Sequence, residues 1–198
     1  MGLPDSTPFQ VRLDFGSGSL TPFTGSFVRR LSEMADAYED QIAVRRILAA
    51  GDDPVVYTGY DADVPRQPGH LTFRTTVMSP GTVGTEFFMT KGHHHIRDSA
   101  ELYLGMSGEG IMLMETRAGD FADGRLVPSA AVYVPPGWAH RTVNTGNTPL
   151  IFLAVYLGDA GHDYASIERS GFSRRVYRGP AGPELRPPRR TAPGRAAG

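Results

Sequence analysis

The sequence predicts an all-β domain, a sandwich or barrel of short strands with some helical material ahead of it. Twenty-four glycines and sixteen prolines cut the 198 residues at close intervals. Between the cuts lie strand-length runs rich in apolar, aromatic and β-branched residues. A third observation concerns chemistry: five of the six histidines fall between His93 and His162, inside the strand-rich region.

The bulk numbers remove several classes of function. Hydrophobic residues make up 40% and charged residues 21%, ordinary values for a globular chain. The net charge of -1 creates no field that would recruit nucleic acid or a membrane surface. The longest clean apolar run, Leu150 to Leu157, is far shorter than the roughly 20 residues of a membrane helix. With no cysteine there is no disulfide, thiolate ligand or cysteine nucleophile, which suits a reducing cytoplasm.

In chain order, "SFVRRLSEMADAYEDQIAVRRILAAG" from Ser26 reads as helical. Phe27, Leu31, Met34 and Tyr38 keep helical spacing and Gly51 is a stop, while Ser32 offers a cap for a second segment. Strands follow at "VVYTGY" (Val55), "LTFRTTVM" (Leu71), "TEFFMT" (Thr85), "ELYLGM" (Glu101), "GIMLME" (Gly110), "AVYVP" (Ala131), "HRTVNT" (His140) and "LIFLAVYL" (Leu150). Ser107 to Gly110 and Asn144 to Asn147 are hairpin-turn candidates. One domain over residues 1–178 is expected, with an extension over 1–60 and a barrel core from about 61 to 178. Residues 179–198, rich in proline and arginine, have too little apolar surface to order themselves and read as a disordered tail.

The histidines point to a metal. If "GHHH" at Gly92 is extended, His93 and His95 share a face and His94 leaves the other. Glu101 opens the next strand across a short loop, and His140 opens a later one just after "YVPPGWA". Three imidazoles and a carboxylate form a nitrogen/oxygen set that leaves positions for water or substrate. A lone HxH would be read as surface histidines; the order HxH, Glu, distant His is far more specific.

That order resembles the cupin superfamily, small antiparallel β-barrels (double-stranded β-helix or jelly-roll) with a metal inside. The longer blocks "SPGTVGTEFFMTKGHHH", "AELYLGMSGEG", "YVPPGWAHRTVNTGNTPLIFLAVY" and "DAGHDYASIERSGF" resemble the archaeal-type, or cupin-type, glucose-6-phosphate isomerases. The likeness runs from about Phe15 to Tyr177. It departs at one point: five residues separate His95 from Glu101, where the family pattern has six.

The resemblance implies metal ligands at His93, His95, Glu101 and His140, and a sugar phosphate held by Thr76, Thr90, the Gly92 N–H and Tyr156. Without it, Thr76 and Thr90 would be strand filler and Tyr156 core. Hydroxyls and a backbone donor can satisfy phosphate oxygens without a charged clamp. Tyr103 and His162 are left for the sugar hydroxyls, and Glu101 is the first choice for moving the proton, with His162 beside it. The implied cofactor is one divalent transition metal per subunit, Fe²⁺ first, with Mn²⁺, Ni²⁺ or Zn²⁺ as alternatives. The resemblance also implies a homodimer, in the cytoplasm, with no nucleic-acid or membrane partner. Two rival readings are an iron-dependent cupin oxygenase and a non-catalytic sugar-binding cupin.

Overall fold

The computed structural model describes residues 7–188. The chain begins with β1 (Arg12–Leu13), β2 (Leu20–Thr21) and β3 (Gly25–Arg30). The helices α1 (Leu31–Met34) and α2 (Gln41–Ala49) follow, separated by a 3-10 turn over Ala35–Ala37. Then come β4 (Val55–Asp61), β5 (Leu71–Met78), β6 (Thr82–Val83), β7 (Glu86–Phe87), β8 (Glu101–Ser107) and β9 (Gly110–Thr116). The chain continues through β10 (Phe121–Leu126), β11 (Ala131–Val134), β12 (Trp138–Asn144) and β13 (Leu150–Leu157). It closes with α3 (Tyr164–Ser170), β14 (Arg175–Gly179) and β15 (Gly182–Arg186).

Two antiparallel sheets form the barrel. One has the order β11-β8-β13-β5-β4-β3, the other β10-β9-β12. The segment before β8 extends the second sheet along the free edge of β12, through bridges Met89↔Val143 and His93↔His140. The core includes Met112, Leu126, Val132 and Phe152. Truncating a fully buried ring such as Phe152 in a core of this kind costs about 3–5 kcal/mol. A smaller sheet, β15-β14-β7-β6, lies apart from these two.

The structure corrects four sequence expectations. Ser26 to Arg30 is not helical: β3 pairs with β4 and alternates half-buried and exposed positions, with Phe27 against Tyr57. The spacing of Phe27, Leu31, Met34 and Tyr38 fits a helix by coincidence, since the first belongs to a strand and the last lies beyond the 3-10 turn. Ser32 caps nothing; its N–H and hydroxyl donate to Asp53 at 2.8 Å, and Asp40 caps α2 by accepting the Ala43 N–H.

Ser107 to Gly110 and Asn144 to Asn147 are tight turns but not hairpins. Each carries the chain from one sheet to the other, because β8 and β13 pair in the larger sheet while β9 and β12 pair in the smaller. Gly108, at φ 74°, makes the first crossing; a Cβ there would meet the Pro149 carbonyl oxygen. The fourth correction is the tail. Gly182–Arg186 pairs with β14 in register Arg175↔Arg186, and Arg186 lies over the Tyr177 ring at 4.5 Å. The rest of that expectation, residues 189–198, lies outside the described residues.

Candidate metal centre

The bridge between His93 and His140 brings the GHHH segment beside β12, and strand parity does the rest. His93 and His95 project to one side, where Glu101 at the start of β8 and His140 on β12 also project. One ligand atom from each of the four lies within 4.8 Å of all the others. His94 bonds to Asp163 through the backbone on both sides and turns its ring away, as the parity predicted. Glu101 reaches the cluster despite the shortened loop over residues 96–100.

Glu101 Oε2 is the hub, 3.0 Å from His95 Nε2, 2.9 Å from His140 Nε2 and 3.9 Å from His93 Nε2. The Nε2 atoms of His93 and His140 are buried and have no hydrogen-bond partner. His95 Nδ1 lies 2.9 Å from the Ser99 carbonyl, and His140 Nδ1 3.4 Å from that of Trp138. A proton on His140 Nδ1 for the Trp138 carbonyl leaves Nε2 a lone pair, whereas His95 has Ser99 Oγ as a second partner at Nδ1 and Glu101 Oε2 at Nε2, so either tautomer is satisfied there. Imidazole nitrogens and a carboxylate converging on one point, two of the nitrogens without a partner, are what a divalent cation needs. The residues fit a metal.

The electrostatics pull the histidines apart: burial would lower His95, but Glu101 and the Ser99 carbonyl outweigh it and raise its pKa. Burial, with His140 beside it, holds His93 well below the usual imidazole pKa. Burial would raise the Glu101 pKa, but His140 and His95 outweigh it and keep the carboxyl well below the usual range. Burial likewise takes His162 down to about 4, so it is neutral at pH 7. Burial and the neighbouring Glu101 push the Tyr103 phenol well above its ordinary value.

Three of the four, His93, Glu101 and His140, line a cavity of about 360 Å³. Thr76, Thr90, Gly92, Tyr103, Tyr156 and His162, all singled out from the sequence, line it. Thr90 Oγ1 accepts the Thr142 N–H at 3.1 Å and keeps its own proton free to donate. Gly92 has φ 73°, and a Cβ there would stand 2.7 Å from the Phe172 ring. No side chain fits that corner. His162 lies 4.4 Å from the His93 ring and stacks on Tyr164.

Sequence reasoning missed the charge in this cavity. Arg29, Arg74 and Lys91 line it beside the hydroxyl and backbone donors. Arg74 pairs with Asp61 at 2.7 Å and lies over the Phe27 ring, while Arg66 bridges Asp61 to the Tyr156 hydroxyl. Arg74 was findable, since it sits two residues before Thr76 on β5 and shares its face. Arg29 was hidden by the helical reading of its strand.

Two antiparallel sheets closed around three imidazoles and a carboxylate define a cupin barrel. The chain belongs to the glucose-6-phosphate isomerase family: the family model described as "Glucose-6-phosphate isomerase (GPI)" matches residues 28–182. A glucose-6-phosphate isomerase of Thermococcus litoralis is 49% identical over 170 residues, 85% of this chain and 88% of that protein. One of Pyrococcus furiosus is 48% identical, covering 85% and 89%. A more distant one, of Sinorhizobium medicae, is 36% identical and covers 84% and 78%. Among solved structures, an oxalate oxidase overlaps 57% of this chain and 56% of its own, with 12% identity and a TM-score of 0.47. No helix among the described residues is long and apolar enough to cross a membrane.

Proposed function

We infer that this chain interconverts glucose 6-phosphate and fructose 6-phosphate, using a divalent metal held by His93, His95, Glu101 and His140. The observation that carries the reading is the convergence of those four groups, three of them lining a donor-rich cavity, in a chain of this family. When bound, the metal supplies Lewis acidity towards the sugar's O1 and O2. The donor set suits Fe²⁺, with Mn²⁺, Ni²⁺ and Zn²⁺ as alternatives. A homodimer in the cytoplasm belongs to the same reading.

Each wall of the cavity has work to do. Thr76, Thr90, the Gly92 N–H and Tyr156 donate to the phosphate oxygens, and Arg29, Arg74 and Lys91 offset the phosphate charge. His162, neutral at pH 7, accepts a hydrogen bond from a sugar hydroxyl, and the Tyr103 phenol stays protonated as a donor. The Glu101 carboxylate, ionised at neutral pH, takes the proton from C2 and returns it to C1, base and then acid. Its low pKa makes it a weak base, so this step leans on the acidity induced at C2. A direct hydride transfer from one carbon to the other is the alternative route.

The test is a coupled isomerase assay with either sugar phosphate, after chelation and refilling with single metals. Activity should vanish with chelator and return with Fe²⁺, Mn²⁺ or Ni²⁺. Oxygen consumption by the refilled protein would favour the oxygenase reading. Tight sugar-phosphate binding with no turnover under any metal would favour the sensor.

A further inference from the structure

The outer side of β12 carries a charge that the isomerase site does not use. Arg141 alternates with His140 and Thr142 along the strand, so it faces away from the metal cluster. It is 3% exposed. Its Nη2 donates to the Lys91 carbonyl at 2.5 Å and its guanidinium lies over the Phe172 ring at 4.6 Å. The other two nitrogens, Nε and Nη1, are buried and have no partner. No carboxylate comes within ion-pair distance of it among the described residues. A guanidinium keeps its proton at neutral pH, so the group is charged.

A buried, unpaired guanidinium is expensive, several kcal/mol in a folded protein. Glu86 and Glu115 act on its charge from beyond ion-pair distance, but neither gives Nε or Nη1 a hydrogen bond. Arg141 lines a separate cavity of about 460 Å³ between α1, the end of α3 and the Lys91–Gly92 backbone. Arg175, Arg169 and Lys91 line it too. Three carboxylates share the lining, and two are engaged: Glu33 accepts from Arg29 and the Arg30 N–H, and Glu168 lies 3.8 Å from Lys91. The third, Asp36, belongs to the 3-10 turn. Arg175 is paired with Glu86 at 2.6 Å, yet its Nε is also buried without a partner.

We propose that this cavity is a second binding site, for a small tetrahedral oxyanion of the phosphate type, seated on Arg141 and Arg175. Guanidinium groups match such anions in charge and in the spread of their N–H bonds. Lys91, Gly92, Tyr164 and Glu168 line both cavities, and the Arg141 hydrogen bond to Lys91 ties the new site to the wall of the substrate cavity. An anion here therefore acts on a segment that the sugar phosphate also touches.

The proposal does not depend on the isomerase reading and is tested by location. Crystals of the full chain, grown without phosphate or sulfate, are soaked in selenate at about 1 mM and about 20 mM. An anomalous peak within hydrogen-bond reach of the Arg141 guanidinium at the lower concentration supports the site. Peaks confined to the substrate cavity, or only water beside Arg141, would overturn it. A peak that appears at 20 mM alone means an adventitious ion only, and also overturns it. Arg141→Gln should abolish this peak and leave any peak in the substrate cavity. Should that variant fail to fold, Arg175→Gln is read the same way, with a fall in peak occupancy of at least about threefold expected.

Discussion

Two buried carboxylates, Glu101 and Glu86, are almost equally hidden, 3% and 2% exposed, and meet opposite surroundings. Glu86 accepts from Arg175 at 2.6 Å and from the Glu39 N–H at 2.9 Å, and Arg175 donates also to the Ala37 carbonyl. Tyr177 completes the group by donating to Glu39. Both Glu86 oxygens are thus answered within the protein. Around Glu101 the neighbours are imidazoles, two of them with nitrogens that have no partner. A carboxylate whose two oxygens are both answered by protein donors holds a fold together, even with Arg175 Nε left over; one ringed by nitrogens without partners is built to take something in.

The sharpest test swaps the consequences. Glu101→Gln keeps the side chain's size but cannot accept a proton, and should lower kcat by at least about 10²-fold. Metal content must be measured on the same sample, because ligand loss alone would give the same fall. Product formed in D₂O should carry deuterium at C1 when Glu101 shuttles the proton. A metal-loaded Gln variant with near-normal turnover and no deuterium would point to direct hydride transfer. Glu86→Ala should do the reverse, costing about 3–5 kcal/mol of stability because it strands Arg175, with kcat within about twofold of the parent. Loss of activity without loss of stability in the Glu86 variant would break the comparison.

The next effect concerns metal itself. His140→Ala removes one of four ligands and should lower bound metal at least about tenfold at fixed free metal, read by elemental analysis after dialysis. His94→Ala should leave metal content nearly unchanged, since its ring faces the other side of the strand. Equal losses would mean that strand parity does not assign the ligands.

That parity argument shows what was legible. A period of two fixes which side chains share a face, so His93, His95 and the exclusion of His94 followed from four residues. Arg74 could have been found in the same way from Thr76. Partnering across distance was not legible. Glycine and asparagine announce turns at Gly108 and Gly146, but local chemistry does not say whether the flanking strands pair or part company into two sheets. Arg66, Asp61 and Tyr156 meet only because β4 and β13 flank β5. Arg141 reads as an ordinary polar residue of a strand until Phe172 and α3 cover it. Gly182–Arg186 is too poor in apolar residues to announce a strand, and needs β14 as a template.

Acid should separate the clusters further. In the metal-free protein, His162 has a pKa near 4 against an ordinary 6.5. Between those values the unfolded chain binds the extra proton, so stability from this group is present above about pH 6.5 and lost as pH falls towards 4. The loss should be about 1–3 kcal/mol after allowance for partial exposure, and His162→Gln should flatten it. Glu86 has the opposite sign: burial raises its pKa despite Arg175, so its contribution is full below the unfolded value and is lost as pH rises through the folded one. Denaturant midpoints across pH 4 to 7 would read both. A His162→Gln chain with an unchanged acid limb would remove this group from the account.

The smallest effect tests how far the closed cluster extends. β14 carries Arg175 and Tyr177, and β15 is its partner along one edge, with Arg186 over the Tyr177 ring. Removing residues 179–198 would take away five paired positions and uncover that ring. The pair is exposed on its outer side, so the expected cost is modest, about 1–2 kcal/mol, or a few degrees in Tm for a domain of this size. Removing only residues 189–198 leaves β15 whole and should shift Tm by less than about one degree. Neither truncation should change kcat by more than about twofold, because no residue of 179–198 lines the cavity at the metal cluster. If the longer truncation left Tm unchanged, β15 would be ornamental and the cluster would end at β14. If it abolished activity while the fold survived, the two clusters would be coupled, and the distinction between them would have to be redrawn.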